Sequence, residues 1–241
     1  MTTAPMLETR RLNKRFGGVV AADNIDLSVE TGELRCLIGP NGAGKSTLFA
    51  MLCGIQRADG GQILLAGRDV THMQAFQRVR LGVGLTFQTN RAFHQLSVRE
   101  NLAIPRIPHD AERRALGAER LAVALETFGL DPEDETRAGE LSHNQLQWLE
   151  IAMVLSGYPD LILLDEPAAG MAGEETARTA TLLKRLNATG LTIVVVEHDI
   201  AFVKEVAQSV TVLHQGRVFA EGPVEAITAN EEVRKIYLGK A

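Results

Sequence analysis

The stretch Gly39-Pro40-Asn41-Gly42-Ala43-Gly44-Lys45-Ser46, followed by Thr47, fits G-x-x-x-x-G-K-[ST] in full. Its chemistry is that of a phosphate cradle. Glycines permit a tight loop whose backbone N–H groups turn inward, and a helix that starts there adds its positive end. Lys45 brings a full positive charge to the β- and γ-phosphates, and the Ser46 hydroxyl is a hard oxygen suited to Mg²⁺. A second constellation is Leu161-Ile162-Leu163-Leu164-Asp165-Glu166, an apolar run ending in two carboxylates. Acids at the carboxyl end of a sheet strand lie where open α/β sheets bind ligands. Asp165 is placed to hold Mg²⁺ through its water shell. Glu166, read as the next residue on extended backbone, faces elsewhere and is suited to take a proton from an attacking water.

These groups need a rigid frame, and the flanking residues predict one. Leu34–Ile38 is a short, nearly continuous apolar run, the mark of a strand buried on both faces of a parallel sheet, and it leads straight into the glycine loop and a helix over 46–53. Leu161–Leu164 and the β-branched Leu191–Val196 read the same way, with helices over 174–187 and 200–208 between and after them. Gly190 is placed to end the first of these helices. Before the glycine loop, two alternating runs joined by Gly17-Gly18 predict antiparallel strands, and QILLAG after Gly60-Gly61 predicts another.

Residues 73–80 read as a helix and 83–87 as a strand ending at Gln88. From there to about residue 157 the pattern is helical: a helix after the N-cap Ser97, stopped by Pro105 and Pro108, then 111–128 and about 144–155. The strand pair VTVLHQGRVFAEG and one terminal helix ending in VRKIYLG close the chain. The expected fold is α/β: a P-loop NTPase (RecA-like) core with a parallel sheet, an N-terminal antiparallel β subdomain and an inserted α-helical subdomain. The expected domains are 1–88 with 158–241 as nucleotide-binding core, and 89–157 as the insertion.

Composition narrows the classes. With 241 residues, 45% hydrophobic and 23% charged, the chain is an ordinary globular one and long enough for a full core. The net charge is 25 − 30 = −5, without the basic footprint of a nucleic-acid binder. Residues 71–120 are an exception, with eight Arg against four acids, which a partner or anionic headgroups could meet. Cys36 and Cys53 sit in apolar runs and read as buried thiols in a reducing compartment. MTTAPMLETRRLNKRF lacks an apolar core, and no apolar run approaches ~18 residues, so neither a signal peptide nor a membrane span is expected.

At this point the sequence resembles the ATP-binding cassette (ABC) ATPases. Gln88 before the helical insertion resembles that family's Gln loop, and LSHNQ (Leu141, Ser142, His143, Asn144, Gln145) resembles its signature. His198 after a parallel strand is similar to the switch histidine, and Phe16 in KRFGG to the aromatic that stacks on adenine. The resemblance implies ATP and Mg²⁺ as cofactors, with Ser46, Gln88 and Asp165 at the metal and Glu166, Gln88 and His198 as catalytic residues. It also implies a head-to-tail pair with a second ATPase subunit, in which each signature meets the partner's ATP. A transmembrane permease would dock on the insertion, and a periplasmic or extracellular substrate-binding protein would act indirectly. The chain would lie peripherally on the cytoplasmic face of the membrane.

LSHNQLQWLEIAMVL, DEPAAGMAGEET and VVVEHDIAFV look like importers of branched-chain amino acids, urea and short amides, with a lean toward the urea type. The alternatives are a lipopolysaccharide or lipid exporter, whose chains can end in similar YLG tails, a soluble non-transport ABC ATPase, and a non-hydrolysing binding module. A soluble ATPase of that kind would carry a long coiled coil or two cassettes. Glu166 and His198 argue against the non-hydrolysing module. Two positions depart from the family pattern. Ala172 stands where many members have Asp, and Asn144 replaces the signature's last Gly. Asn144 either intrudes on the partner's phosphate, which would favour unequal sites in a heterodimer, or substitutes for Gly as a cap-type residue.

Overall fold

The computed structural model describes residues 4–86, 91–105 and 111–238. In chain order its elements begin with strands β1 (Leu7–Phe16), β2 (Val19–Val29) and β3 (Leu34–Ile38), helix α1 (Lys45–Leu52), and strands β4 (Gly60–Leu65) and β5 (Arg68–Asp69). Helix α2 (Ala75–Arg80) and strand β6 (Val83–Leu85) precede three helices, α3 (Val98–Ala103), α4 (Ala111–Phe128) and α5 (His143–Ser156). Then come β7 (Leu161–Asp165), α6 (Glu174–Ala188), β8 (Thr192–Val196), α7 (Ile200–Val206), β9 (Ser209–His214), β10 (Arg217–Pro223), α8 (Val224–Ala229) and α9 (Glu231–Leu238).

Two sheets result. One is antiparallel, in the order β2-β1-β4-β5. The other runs β10-β9-β3-β8-β7-β6, with parallel pairing from β9 to β6 and an antiparallel edge at β10. The central strands β3, β7 and β8 are buried at every residue, as their unbroken apolar runs require. Period-two geometry divides each run between two cores. Ile162, Leu164, Ile193 and Val195 join α4, α5, α6 and α7 on one face. Leu161, Leu163, Val194 and Val196 join α1 and the antiparallel sheet on the other.

The segment between β6 and β7 shares this packing. Ala124 and Phe128 of α4 and Trp148, Ile151 and Leu155 of α5 belong to the same core as α6 and the sheet, with Phe128 stacked on Trp148 at 4.9 Å. A small cluster of Ala92, Val98, Ala138, Leu149 and Met153 joins α3 to α5. Both cysteines are buried and free. Burial pushes both thiols up, out of the reactive range.

Several expectations are modified. The strand expected over 83–87 is described for Val83–Leu85, and Phe87 and Gln88 lie outside the described residues. The tail contains two helices, because Asn230 ends α8 and its Oδ1 accepts the N–H groups of Glu232 and Val233 to start α9. The excess of arginine over residues 71–120 is partly internal. Arg78 is buried and donates to the Met51 and Leu52 carbonyls at the end of α1 (2.8 and 2.7 Å), and buried Arg120 donates to Pro159 O and to Thr189. These two charges serve helix and loop ends.

Candidate active site

The glycine loop lies between β3 and α1. Gly44 at the N-cap of α1 has φ +101°, and a Cβ there would stand 2.3 Å from Ala21 O of β2. Only glycine permits both the turn and that approach. No side chain caps α1, so the N–H groups of its first turn keep their donor capacity. Lys45 begins the helix, and its Nζ donates to Gly39 O at 2.6 Å and Pro40 O at 3.2 Å. Burial lowers the Lys45 pKa, and the charges of Glu166 and Asp165 oppose that shift.

Asn41, Gly42, Ala43, Gly44, Lys45, Ser46 and Thr47 line one cavity of about 360 Å³ together with Phe16, Val19 and Glu166. Phe16 ends β1 and is 48% exposed, with Lys14 Nζ 5.3 Å from its ring centre. An exposed aromatic beside a cradle of N–H donors suits a flat heterocycle carrying a polyphosphate. Asp165 ends β7, and its Oδ1 is buried with no hydrogen-bond partner. Burial first, and the neighbouring Glu166 charge second, push its pKa up to about 6 against the pull of Lys45. A bare, desolvated carboxylate oxygen within electrostatic reach of Lys45 fits a hard cation, and the Ser46 hydroxyl lines the cavity that Lys45 shares.

Glu166 differs from the sequence expectation in its backbone. It is not extended: φ is +50°, in the left-handed region, while its N–H still bonds Val196 O at 2.9 Å. For a residue with a side chain this costs on the order of 1–2 kcal/mol and persists only when neighbours enforce it. Its Oε1 lies 3.1 Å from His198 Nδ1. A carboxylate only accepts, so Nδ1 carries the proton in this bond, on an imidazole whose side chain is exposed. The structure thus brings together Phe16, the glycine loop, Asp165, Glu166 and His198.

The expected signature lines a different cavity. Ser142 caps α5, its Oγ accepting the Gln145 N–H at 3.3 Å while Gln145 Oε1 accepts the Ser142 N–H at 3.0 Å. Leu141 turns inward against the α3–α5 cluster. Asn144 stands in the first turn of α5 with no positive φ, so its left-handed tolerance is not used. With Trp148 one turn on, it lines a cleft of about 620 Å³ together with Ala172, Glu174 and Arg178.

Two residues were not singled out from the sequence. Glu197 follows the apolar run of β8 and is 2% exposed. It accepts the N–H groups of His198 at 3.0 Å and Asp199 at 3.5 Å, and its Oε1 has no partner. Burial raises its pKa, and the backbone donors hold it back. Its signal was an acid closing an otherwise apolar strand. Gln147, one turn after His143, donates to Glu166 O at 3.0 Å. Nothing in its spacing foretold a backbone partner.

The ABC transporter family model matches residues 22–169. The chain is 34% identical to the high-affinity branched-chain amino acid transport ATP-binding protein LivG of Escherichia coli (strain K12), over 98% of this chain and 99% of LivG. It superposes on MJ1267, an ATP-binding cassette of an ABC transporter in its ADP conformation, with a TM-score of 0.85 and 30% identity over 99% and 100% of the two chains. The dimeric ATP-binding cassette MJ0796, bound to ADP and Pi in a post-hydrolysis state, gives 0.77 and 25% identity over 91% of this chain and 99% of that one.

Proposed function

The chain belongs to the ABC transporter family as an ATP-binding, ATP-hydrolysing cassette, and on that premise we propose that it powers uptake of branched-chain amino acids through a separate membrane permease. The observation that carries the reading is the single cavity shared by Phe16, the glycine loop and Glu166, with the bare Asp165 oxygen beside it. Adenine stacks on Phe16. The β- and γ-phosphates take the open N–H groups of α1 and the Lys45 ammonium, which exchanges its carbonyl partners for phosphate oxygens. Ser46 and Asp165, with Gln88 as the further expected ligand, would hold Mg²⁺, which would supply charge neutralisation at the phosphates. Glu166 accepts the proton of the attacking water, and His198 orients its carboxylate.

In this reading the cassette pairs head to tail with a second cassette, as MJ0796 is dimeric, so that the Ser142 end of α5 closes on the partner's nucleotide. The helices α3, α4 and α5, within residues 89–157, act as the signature unit. A groove of about 600 Å³ lined by Val79, Val83, Leu85, Arg91, Phe93 and Met153 supports permease docking there. Among the described residues no helix is long and apolar enough to cross a membrane, so that docking holds the chain at the cytoplasmic face. The cargo follows LivG, whose name states branched-chain amino acid transport.

The test has two arms. Glu166→Gln should keep ATP binding, lose at least about 100-fold in hydrolysis, and accumulate as an ATP-bound dimer on a sizing column. Parental turnover would remove Glu166 from its role. Deleting the gene should abolish uptake of labelled leucine and leave urea uptake intact; the reverse result would reassign the cargo to urea.

A further inference from the structure

Helix α5 has two working faces. Asn144 and Trp148, four residues apart, face α6, where Trp148 Nε1 donates to Thr179 Oγ1 at 3.1 Å. His143 and Gln147, also four apart, face the segment that follows β7. The His143 imidazole lies beside Gly170, its Nε2 3.4 Å from where a Cβ on that glycine would stand. Gln147 Nε2 donates to Glu166 O at 3.0 Å, and the same oxygen accepts the Ala169 N–H at 3.0 Å. Gln147 is therefore the side chain by which α5 holds the carbonyl of a residue whose left-handed backbone needs external support.

We propose that Gln147 is a positioning residue for Glu166 and carries occupancy of the partner's nucleotide to this chain's own catalytic carboxylate. The inference rests on the paired arrangement above, in which the start of α5 meets the partner's phosphate while Glu166 serves the nucleotide on this chain's glycine loop. The capping box at Ser142 and Gln145 makes the first turn of α5 rigid. A shift of that turn on engaging phosphate moves Gln147, one turn further on, and with it the Glu166 peptide. The Glu166 carboxylate and its bond to His198 then move relative to the γ-phosphate. Misplacement by about 1 Å is enough to cost ~100-fold in such a reaction.

The test uses the full chain and reads ATPase rate against ATP concentration, equilibrium ATP binding and thermal stability. Gln147→Met keeps the length and removes the donor. It should lower kcat by about 10-fold and bring the Hill coefficient to about 1, with ATP affinity unchanged. Gln147→Lys keeps a donor of similar reach and should retain most of the rate and the cooperativity. The proposal is overturned if Gln147→Met keeps the parental rate and Hill coefficient, or if both variants lose activity alike. It is also overturned if the parent itself shows no cooperativity. Should Gln147→Met fail to fold, Gln147→Asn, one methylene short of the carbonyl, replaces it with the same expected result. Glu166→Gln run alongside separates the failures: arrest in that variant with parental behaviour at position 147 sinks this inference alone.

Discussion

Two helix N-termini in this molecule are assigned to phosphate, and they are built differently. Helix α1 starts on Gly44 with no side-chain cap, and the helix is fixed by the burial of Lys45, Leu48, Phe49, Met51 and Leu52. Helix α5 starts on Ser142, which satisfies its own end through the reciprocal bond with Gln145, and its first turn is largely exposed. An open, rigid end offers its N–H groups permanently and suits a resident nucleotide. A closed, exposed end is content without a ligand and suits a contact that forms and breaks with each cycle.

The largest effect falls on the open end. Lys45→Ala should weaken ATP binding by at least about 100-fold, because the polyanion loses a charge-assisted partner in a half-buried site. Equilibrium binding measures it, and unchanged affinity would remove α1 from the contrast. At the closed end, Ser142→Ala should leave ATP affinity intact and lower the ATPase rate by about 10-fold. Loss of the cap should cost about 1 kcal/mol of stability. Loss of ATP affinity at Ser142 equal to that at Lys45 would show that both ends serve one nucleotide in one chain.

Asp165 supplies a pH-dependent version of the same contrast. Its folded pKa of about 6 lies above the ordinary 3.8, so the folded chain holds this proton more tightly than the unfolded one. The stability it contributes is fully present below about pH 3.8 and is lost as pH rises through about 6. Asp165→Asn should therefore be more stable than the nucleotide-free parent at pH 7.5 by on the order of 1–3 kcal/mol, with the gap closing toward pH 4. Thermal melts at the two pH values check this, and a pH-independent gap would contradict it. The smallest effect is expected at Asn144. Its backbone is helical, so Asn144→Gly gains no conformational relief and should lose up to about 1 kcal/mol, with the ATPase rate within about 2-fold of parental. A marked rise in rate would show that the side chain obstructs the partner's nucleotide.

The legibility of the two ends differs in the same way. The glycine loop, the burial of β3, β7 and β8, and the span of α4 were readable because glycine spacing, unbroken apolar runs and helical periodicity are local signals. Ser97 was readable as a cap for the same reason, whereas α5 was expected to start at about Asn144 with that residue as cap-type, and its cap is Ser142. The left-handed Glu166 was not, since its geometry comes from Val196, His198 and Gln147, which lie far apart in sequence. The inward turn of Arg78 and Arg120 was also hidden, because a charge count carries no information about which helix ends need donors. Glu197 was visible only as an acid that interrupts an apolar run, although the backbone N–H groups it accepts, from His198 and Asp199, are its immediate neighbours.

The central claim is that one chain's glycine loop works with another chain's α5. It is tested by mixing two inactive variants, Lys45→Ala and Ser142→Arg. In a pair of one of each, the Ser142→Arg chain keeps a sound Lys45 and the Lys45→Ala chain keeps a sound Ser142, so one complete site re-forms. Random pairing should restore activity to at most about a quarter of the parental ATPase rate, since half of the pairs are mixed, each holds one working site of two, and that site lacks the coupling from an occupied partner. A mixture no more active than its separate components would contradict the account.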